Sequence, residues 1–259
     1  MKNKKPLLIP YITAGFPTKK LFLPILETLS KAGADFIEVG VPHSDPLADG
    51  PTIQYASKIA LDNGMSLKWI VETCHGIVRA CHGKPLQQKL KPLILFSYFN
   101  PILKYGLEKL LKDLPKPLFY GLIIPDLPLE EAEKYLPLFK KQKLNLILLA
   151  APTTKKEKLK KIAKCSQGLI YLVSVTGVTG ERKQFSNELK QKIKEIKSYT
   201  TKKVVVGFGI SNAKQAKKII SYGADGIVIG SIIIRLLQDT NNRYMIHKLE
   251  KFISTFSKK

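Results

Sequence analysis

The sequence predicts an α/β fold, a single-domain (β/α)8 barrel that covers residues 1–259. Short apolar segments alternate with longer Lys-rich segments of helical periodicity, and strands that alternate with helices form a parallel sheet. Eight such units in roughly 250 residues are typical of the closed barrel. An open, doubly wound sheet is the alternative, and in both folds the functional residues lie at the carboxyl ends of the strands.

The eight predicted strands are short runs of apolar and β-branched residues, which favour an extended backbone buried on both faces. In chain order they are Leu7–Thr13, Asp35–Val41, Leu93–Ser97, Phe119–Ile124, Asn145–Ala150, Gly168–Ser174, Val204–Phe208 and Gly226–Ile229.

The predicted helices have apolar residues at helical spacing, and Pro, Gly or Ser marks many of their ends. The first helix follows Pro17, and Ser66 and Ser211 are the predicted N-caps of two later helices. The apolar face of the first helix is predicted to consist of Leu21, Leu23, Leu26 and Leu29. The later helices are Thr52–Asn63, Ser66–Cys81, Leu103–Asp113, a Glu-rich helix from Pro128 or Leu129, Lys155–Cys165, Asn187–Ser198, Ser211–Ser221, a helix opening at Ser231, and Tyr244–Phe256.

The net charge of +23 comes mainly from lysine. The lysines are spread over every predicted helix, whereas proteins that read nucleic-acid sequence usually rely on arginine for bidentate contacts. We interpret the charge as a solvated surface and expect no specific nucleic-acid ligand. The alternative is weak attraction to an acidic partner or to a nucleic acid.

Three cysteines cannot all form disulfide bonds with one another, which favours a reducing compartment. Cys74-His75 and Cys81-His82 resemble a pair of metal ligands. Seven residues along a helix separate the two by roughly 10 Å, which is too far for one ion. We therefore expect no metal site.

The N-terminus and the hydropathy give no targeting or membrane signal. Pro6 and Pro10 interrupt the first apolar run, which therefore resembles neither a signal peptide nor a transit peptide. No apolar run reaches the ~20 residues that a membrane helix needs. We expect a protein of the cytoplasm, or of the plastid stroma if the gene is organellar.

Two carboxylates flank the end of the second strand. Glu38 lies within the apolar run Phe36–Val41, and Asp49 lies in a turn that contains Pro and Gly. A buried Glu and a solvated Asp should have well-separated pKa values, with that of Glu38 raised, and such a pair can perform acid–base chemistry near neutral pH. The alternative is that Glu38 caps a strand end and Asp49 forms an Asx turn.

Glycines follow the last three predicted strands. They lie at Thr176–Gly180, at Gly207 and Gly209, and at Gly230, where Ser231 opens a helix. Backbone N–H groups approach an anion closely where side chains are absent, and a helix N-terminus adds positive potential. The pattern predicts a phosphate site, although ordinary turns also use glycine.

Aromatic residues are predicted at the same rim, where they could line a flat apolar substrate site. Packing in the barrel core is the alternative for some of them. They are Phe16, Tyr98, Phe99, Tyr171 and Phe208.

Seven motifs make the chain resemble the tryptophan synthase alpha-subunit family from Ile9 to about Leu237. The motif EVGVPHSDPLADGPTIQ is long and highly specific. The motifs are PYITAGFP at Pro10–Pro17, EVGVPHSDPLADGPTIQ at Glu38–Gln54, FNPILKYG at Phe99–Gly106, PDLPLEE at Pro125–Glu131, YLVSVTGVTG at Tyr171–Gly180, VGFGIS at Val206–Ser211 and ADGIVIGS at Ala224–Ser231.

The resemblance implies a (β/α)8 barrel that cleaves indole-3-glycerol phosphate to indole and glyceraldehyde 3-phosphate by a retro-aldol reaction. It implies no cofactor in this chain, and a partner beta subunit that carries PLP and receives the indole within an αββα complex. Catalytic roles are implied for Glu38, as acid–base group, and for Asp49, which would stabilise the positive indolenine. Substrate contacts are implied for Phe16, Tyr98, Tyr171, Thr179, Gly180, Gly209, Gly230 and Ser231, with Thr179 in a loop that closes on Asp49.

Two residues differ from the usual family sequence. Val175 stands where many members have an Arg that holds the closing loop, and we expect Arg182 or Lys183 to compensate in part. His43 replaces the usual Phe; it could make subunit coupling pH-dependent or be a neutral surface change.

Three other functions remain open. Another phosphate-binding barrel of tryptophan or histidine biosynthesis would share the glycines but not the Glu38/Asp49 motif. A catalytically impaired subunit could bind ligand and only activate the beta subunit, which the missing Arg would favour. The surplus charge could support weak polyanion binding.

Overall fold

The protein is a closed parallel barrel whose eight strands pair in sequence order, β1 to β8 and back to β1. The computed structural model describes residues 5–80, 90–174, 187–207, 209–238 and 242–257. The closed ring confirms the predicted (β/α)8 barrel and excludes the open sheet. The strands are β1 Leu7–Thr13, β2 Ile37–Gly40, β3 Leu93–Phe96, β4 Phe119–Ile123, β5 Asn145–Ala150, β6 Leu169–Val173, β7 Lys203–Gly207 and β8 Gly226–Ile229.

The strands are apolar along their whole length because one face fills the barrel and the other packs on helices. Every residue of β1, β2, β3 and β8 is buried. The predicted bounds of three strands, β1, β5 and β8, agree with the structure, and those of the others differ by one or two residues at one or both ends.

Helices follow the strands around the outside of the barrel. A short 3-10 turn at Lys19–Leu21 precedes the first of them. Over the described residues the helices are α1 Phe22–Lys31, α2 Pro51–Asp62, α3 Leu67–Ala80, α4 Phe99–Tyr105, α5 Leu107–Asp113, α6 Leu129–Lys141, α7 Lys156–Cys165, α8 Asn187–Tyr199, α9 Ala213–Ser221, α10 Ser231–Leu236 and α11 Asn242–Ser257.

The segment predicted as one helix over Leu103–Asp113 forms two helices and begins earlier. Gly106, at φ 91°, separates α4 from α5. Glycine adopts this backbone conformation without steric strain, and the conformation ends α4. The prediction of one continuous helix over Leu103–Asp113 is therefore wrong.

Two details of the helices differ from the prediction. The buried face of α1 contains Phe22 and Ile25, while Leu21 and Leu23 are only partly buried. The N-cap of α9 is Asn212, whose side chain accepts from the backbone N–H of Gln215 at 2.9 Å.

One predicted cap is confirmed. The backbone N–H of Trp69 donates to Ser66 Oγ at 3.2 Å at the start of α3. The serine oxygen thus accepts from an N–H of the first turn that has no partner within the helix.

None of the helices in the described residues is long and apolar enough to cross a bilayer. No group of three or more His, Cys, Asp and Glu side chains in that part of the chain is placed to hold a metal ion.

Candidate active site

Glu38 is buried in the barrel as the second of the four residues of β2. It lies in register with Tyr11 of β1 and Ile94 of β3, and only 2% of its surface is exposed. Its Oε2 atom has no hydrogen-bond partner among the described residues. Burial, together with the nearby charge of Asp49, raises the pKa of Glu38 to about 8. A buried carboxyl with a free oxygen is costly to keep, which indicates a functional position.

Asp49 lies in the loop between β2 and α2, directly before the N-cap Gly50. Its backbone N–H donates to Pro46 O at 2.9 Å, and its Oδ2 accepts from the Tyr98 hydroxyl at 3.0 Å. Only 6% of Asp49 is exposed, so the expectation of a solvated carboxylate was wrong. Tyr98, from the end of β3, covers it.

Burial raises the pKa of Asp49 to about 6, and the hydrogen bond from Tyr98 limits the rise. The two acids thus have different pKa values, with that of Glu38 the higher, as predicted. Between these two values, Glu38 holds its proton while Asp49 is a carboxylate. The pair can donate a proton at one point and stabilise a cation at another.

An open cavity, about 560 Å³ with the solvent space at its mouth included, connects the two acids to the ends of β7 and β8. Its apolar walls come from residues on four elements, and a flat ring could lie between them. These wall residues are Ile53, Phe96, Val228 and Ile232.

Two tyrosines line the cavity beside Glu38. A Cβ at Gly40 would collide with the phenol of Tyr11, and a Cβ at Gly207 would collide with that of Tyr171. Each phenol therefore packs directly on the backbone of a neighbouring strand. Burial and the charges of Glu38 and Asp49 raise the pKa of both phenols well above the usual value, so both stay neutral.

The other end of the cavity is lined by Gly209, Gly230 and Ser231, as predicted, and by Ser211 and Arg235. Gly209 has φ +75°, a conformation that favours glycine. Gly230 and Ser231 open α10. Backbone N–H groups, two hydroxyls and one guanidinium suit a small anion.

The structure does not bring every predicted residue to the cavity. Phe16 and Tyr98 are not among the described residues that line the cavity. Phe16 is buried and contacts Tyr55, while Tyr98 acts through its bond to Asp49. Phe99 packs on Tyr135. Several residues named above lie outside the described ranges: Cys81, His82, Val175, Thr179, Gly180, Arg182, Lys183 and Phe208.

Sequence reasoning missed eight of the described lining residues, which are Tyr11, Ile53, Phe96, Ile210, Ser211, Val228, Ile232 and Arg235. Two signals could have found some of them. Tyr11 of β1 lies in register with Glu38 of β2, so aligning the two predicted strands could have placed Tyr11 beside Glu38. Arg235 follows Ser231 by four residues, which places the two on one side of a helix.

Comparisons with known proteins agree on one family. The sequence model described as "Tryptophan synthase alpha chain" matches residues 1–259. The tryptophan synthase alpha chain of Prochlorococcus marinus is 43% identical over 258 residues, which is 99% of this chain and 93% of the relative.

Solved structures give the same result. A tryptophan synthase from Mycobacterium tuberculosis superposes with a TM-score of 0.85 at 31% identity, covering 98% of this chain and 91% of the other. A chain of the Pyrococcus furiosus tryptophan synthase a2b2 complex gives a TM-score of 0.84 at 32% identity, covering 98% of each.

Proposed function

Because this chain belongs to the tryptophan synthase alpha-chain family, a family of lyases, we propose that it cleaves indole-3-glycerol phosphate to indole and glyceraldehyde 3-phosphate. The observation that carries this proposal is the cavity that joins buried Glu38 and Asp49 to a glycine-lined end with one guanidinium. An indole ring would lie between the apolar walls, and the phosphate would lie against Gly209, Gly230 and Ser231.

Arg235 would add positive charge at the phosphate end, because it lines the same part of the cavity as Ser231. Thr179 and Gly180 stay proposed contacts on the strength of their motif alone. We propose Tyr171 and Tyr11 as aromatic residues beside the indole, because both line the cavity. Phe16 stays a proposed contact on the strength of its motif alone.

The mechanism uses the pKa order of the two acids. Protonated Glu38 would give its proton to indole C3, and the Asp49 carboxylate would stabilise the resulting N–H cation. The Glu38 carboxylate would then take the proton from the side-chain hydroxyl. That oxygen forms the aldehyde C=O, the C3–carbon bond breaks, and its electron pair returns to the ring. Glu38 ends the cycle protonated, as it began.

The Tyr98 bond would hold Asp49 in place for this role. A carboxylate that accepts one hydrogen bond from a fixed phenol keeps a defined direction, and its second oxygen stays available to the ring N–H. Positioning of this kind contributes to catalysis because no reorganisation is needed during the reaction.

We propose a beta subunit as partner, since the similar P. furiosus protein forms an a2b2 complex. PLP would belong to that partner, and this chain would need no cofactor of its own. The exposed apolar side chains of Leu47 and Leu103 lie near the active-site face and would suit such an interface.

Cytoplasm or plastid stroma stays the proposed compartment, supported by the free thiols of Cys74 and Cys165.

The test is indole release from indole-3-glycerol phosphate by the purified chain, with and without a tryptophan synthase beta subunit. We expect slow release that rises with the partner and falls at least a hundredfold (~10²) in Glu38→Gln, since general acid–base groups contribute about 10²–10⁴. Glu72→Gln, at an exposed position of α3, is the matched control.

The alternative, an impaired subunit that only activates its partner, makes a different prediction. The ligand would bind and stimulate the beta reaction, but no indole would form in either condition. That result would overturn the lyase proposal.

A further inference from the structure

His43 lies in the loop that carries Asp49 and contacts the residue that holds it. The imidazole ring packs on the Tyr98 ring with 4.8 Å between centroids and 31° between planes. Its Nδ1 accepts a hydrogen bond from the backbone N–H of Asp45 at 3.0 Å. One side chain thus closes the turn and supports Tyr98 at the same time.

Tyr98 passes this support to Asp49. Its hydroxyl donates to Asp49 Oδ2 at 3.0 Å and accepts from the Ala48 backbone N–H at 2.9 Å. The face of the phenol rests on His43, and its hydroxyl is held by the loop that His43 shapes.

We propose that His43 is a positioning residue for Asp49, which it holds through Tyr98 only while the imidazole is neutral. The catalytic consequence rests on the proposed function, whereas the linkage between His43 and Asp49 does not.

The chemistry of the hydrogen bond makes the arrangement depend on protonation. A backbone N–H can only donate, so Nδ1 must carry a lone pair and the neutral ring holds its proton on Nε2. An imidazolium has N–H on both nitrogens and cannot accept. Protonation of the ring would therefore break the bond to Asp45.

Other titratable groups surround the pair in the described residues. Asp45 and Asp49 belong to the same loop, and Asp126, after β4, acts on Tyr98 and accepts from the backbone N–H of Phe99. The Tyr98 hydrogen bond lowers the pKa of Asp49. Release of Tyr98 would therefore raise the pKa of Asp49 further.

Three substitutions separate the two contacts of His43. His43→Asn keeps an acceptor, because Oδ1 is two bonds from Cβ as Nδ1 is, but it cannot titrate. His43→Phe keeps a ring on Tyr98 and loses the acceptor. His43→Ala loses both. Circular dichroism and thermal unfolding check that each variant folds.

The first readout is kcat and KM for indole release with the beta subunit, from about pH 5.5 to 8.5. At the basic end we expect His43→Ala to lower kcat about fivefold with little change in KM, and His43→Asn to restore part of the loss. Towards acid, the wild type should lose activity more steeply than His43→Asn. Parallel profiles for these two proteins would overturn the proposal.

The second readout does not need activity. Carbon-13 NMR of labelled aspartate carboxyls follows the titration of Asp49, with Asp49→Asn to assign the signal. We expect the Asp49 pKa to rise in His43→Ala and in His43→Phe. An unchanged titration in both would contradict the linkage even if indole is released. A shifted titration without indole release would leave the linkage standing and remove the proposed function.

Discussion

At the scale of single residues, burial sets the chemistry of the two acids. Glu38 and Asp49 both have raised pKa values, and desolvation is the main cause for each. The hydrogen bond from Tyr98 reaches Asp49 alone and keeps its pKa below that of Glu38. The charge of Asp49 also raises the pKa of Glu38, so this charge and the Tyr98 donor both widen the difference between the two pKa values.

Glu38 should make the stability of the protein depend on pH. Its pKa rises from 4.5 to about 8 on folding, so the folded state binds the proton more tightly. The contribution of Glu38 to the free energy of unfolding is therefore fully present below pH ~4.5 and is lost as the pH rises towards about 8. Because Gln cannot titrate, Glu38→Gln should lack this loss, of order a few kcal/mol.

Urea unfolding of wild type and Glu38→Gln at several pH values measures the effect. The difference in unfolding free energy between the two should shift in favour of Glu38→Gln as the pH rises from acid to about 8. A constant difference would mean that Glu38 has an ordinary pKa in the folded protein.

The position of Glu38 was predictable from sequence because an acid within an apolar strand is conspicuous. The burial of Asp49 was not. Its neighbours Pro46, Leu47 and Gly50 indicate an exposed turn, and Leu47 is indeed exposed. The covering group is Tyr98, which lies 49 positions later in the chain, and a local pattern carries no information about such a contact.

At the scale of elements, the strands were easier to predict than the helix ends. A parallel strand buried on both faces shows as a continuous apolar run, so β1, β5 and β8 matched the prediction at both ends. The break at Gly106 depends on one residue's φ angle, which composition does not reveal. The cavity residues that sequence missed, such as Tyr11, are defined by pairing between strands.

The contact between β6 and β7 should be sensitive to one methyl group. A Cβ at Gly207 would collide with the Tyr171 phenol, which is buried and cannot move freely. We expect Gly207→Ala to lower stability by about 1–3 kcal/mol, as overpacking does, and to lower kcat for indole release by displacing Tyr171.

Gly76→Ala is the matched control, because a Cβ there would meet nothing within 4 Å. Gly76 lies inside α3, so alanine should stabilise the protein by about 0.5–1 kcal/mol. Denaturant unfolding compares the two variants. Equal stability in both would show that Tyr171 adapts to the added methyl group.

At the scale of the whole molecule, the +23 charge is spread over the outside of the barrel. A few of the lysines in the described ranges pair with acids three or four residues away at exposed positions, such as Lys134 with Glu131 and Lys160 with Glu157. Exposed pairs of this kind contribute little to stability. The charge mainly sets the potential around the protein.

A diffuse charge predicts weak and unspecific polyanion binding. The protein should be retained on heparin and elute at modest salt, since counterion release makes such binding strongly salt-dependent. Replacing Lys160 and Lys161 on α7 with Glu should lower the elution salt as much as replacing Lys190 and Lys194 on α8. A large drop in one variant alone would instead locate a binding patch.

The pairing of β1 with β8 has a consequence for synthesis on the ribosome. Tyr11 and Gly230 lie more than two hundred positions apart in the sequence, yet a Cβ on Gly230 would come within 3.4 Å of Tyr11, and both line the cavity. A nascent chain therefore has no complete ligand site until its last strand leaves the exit tunnel and joins the first. Up to that moment a ligand cannot assist folding, and afterwards it stabilises the closed ring as one unit.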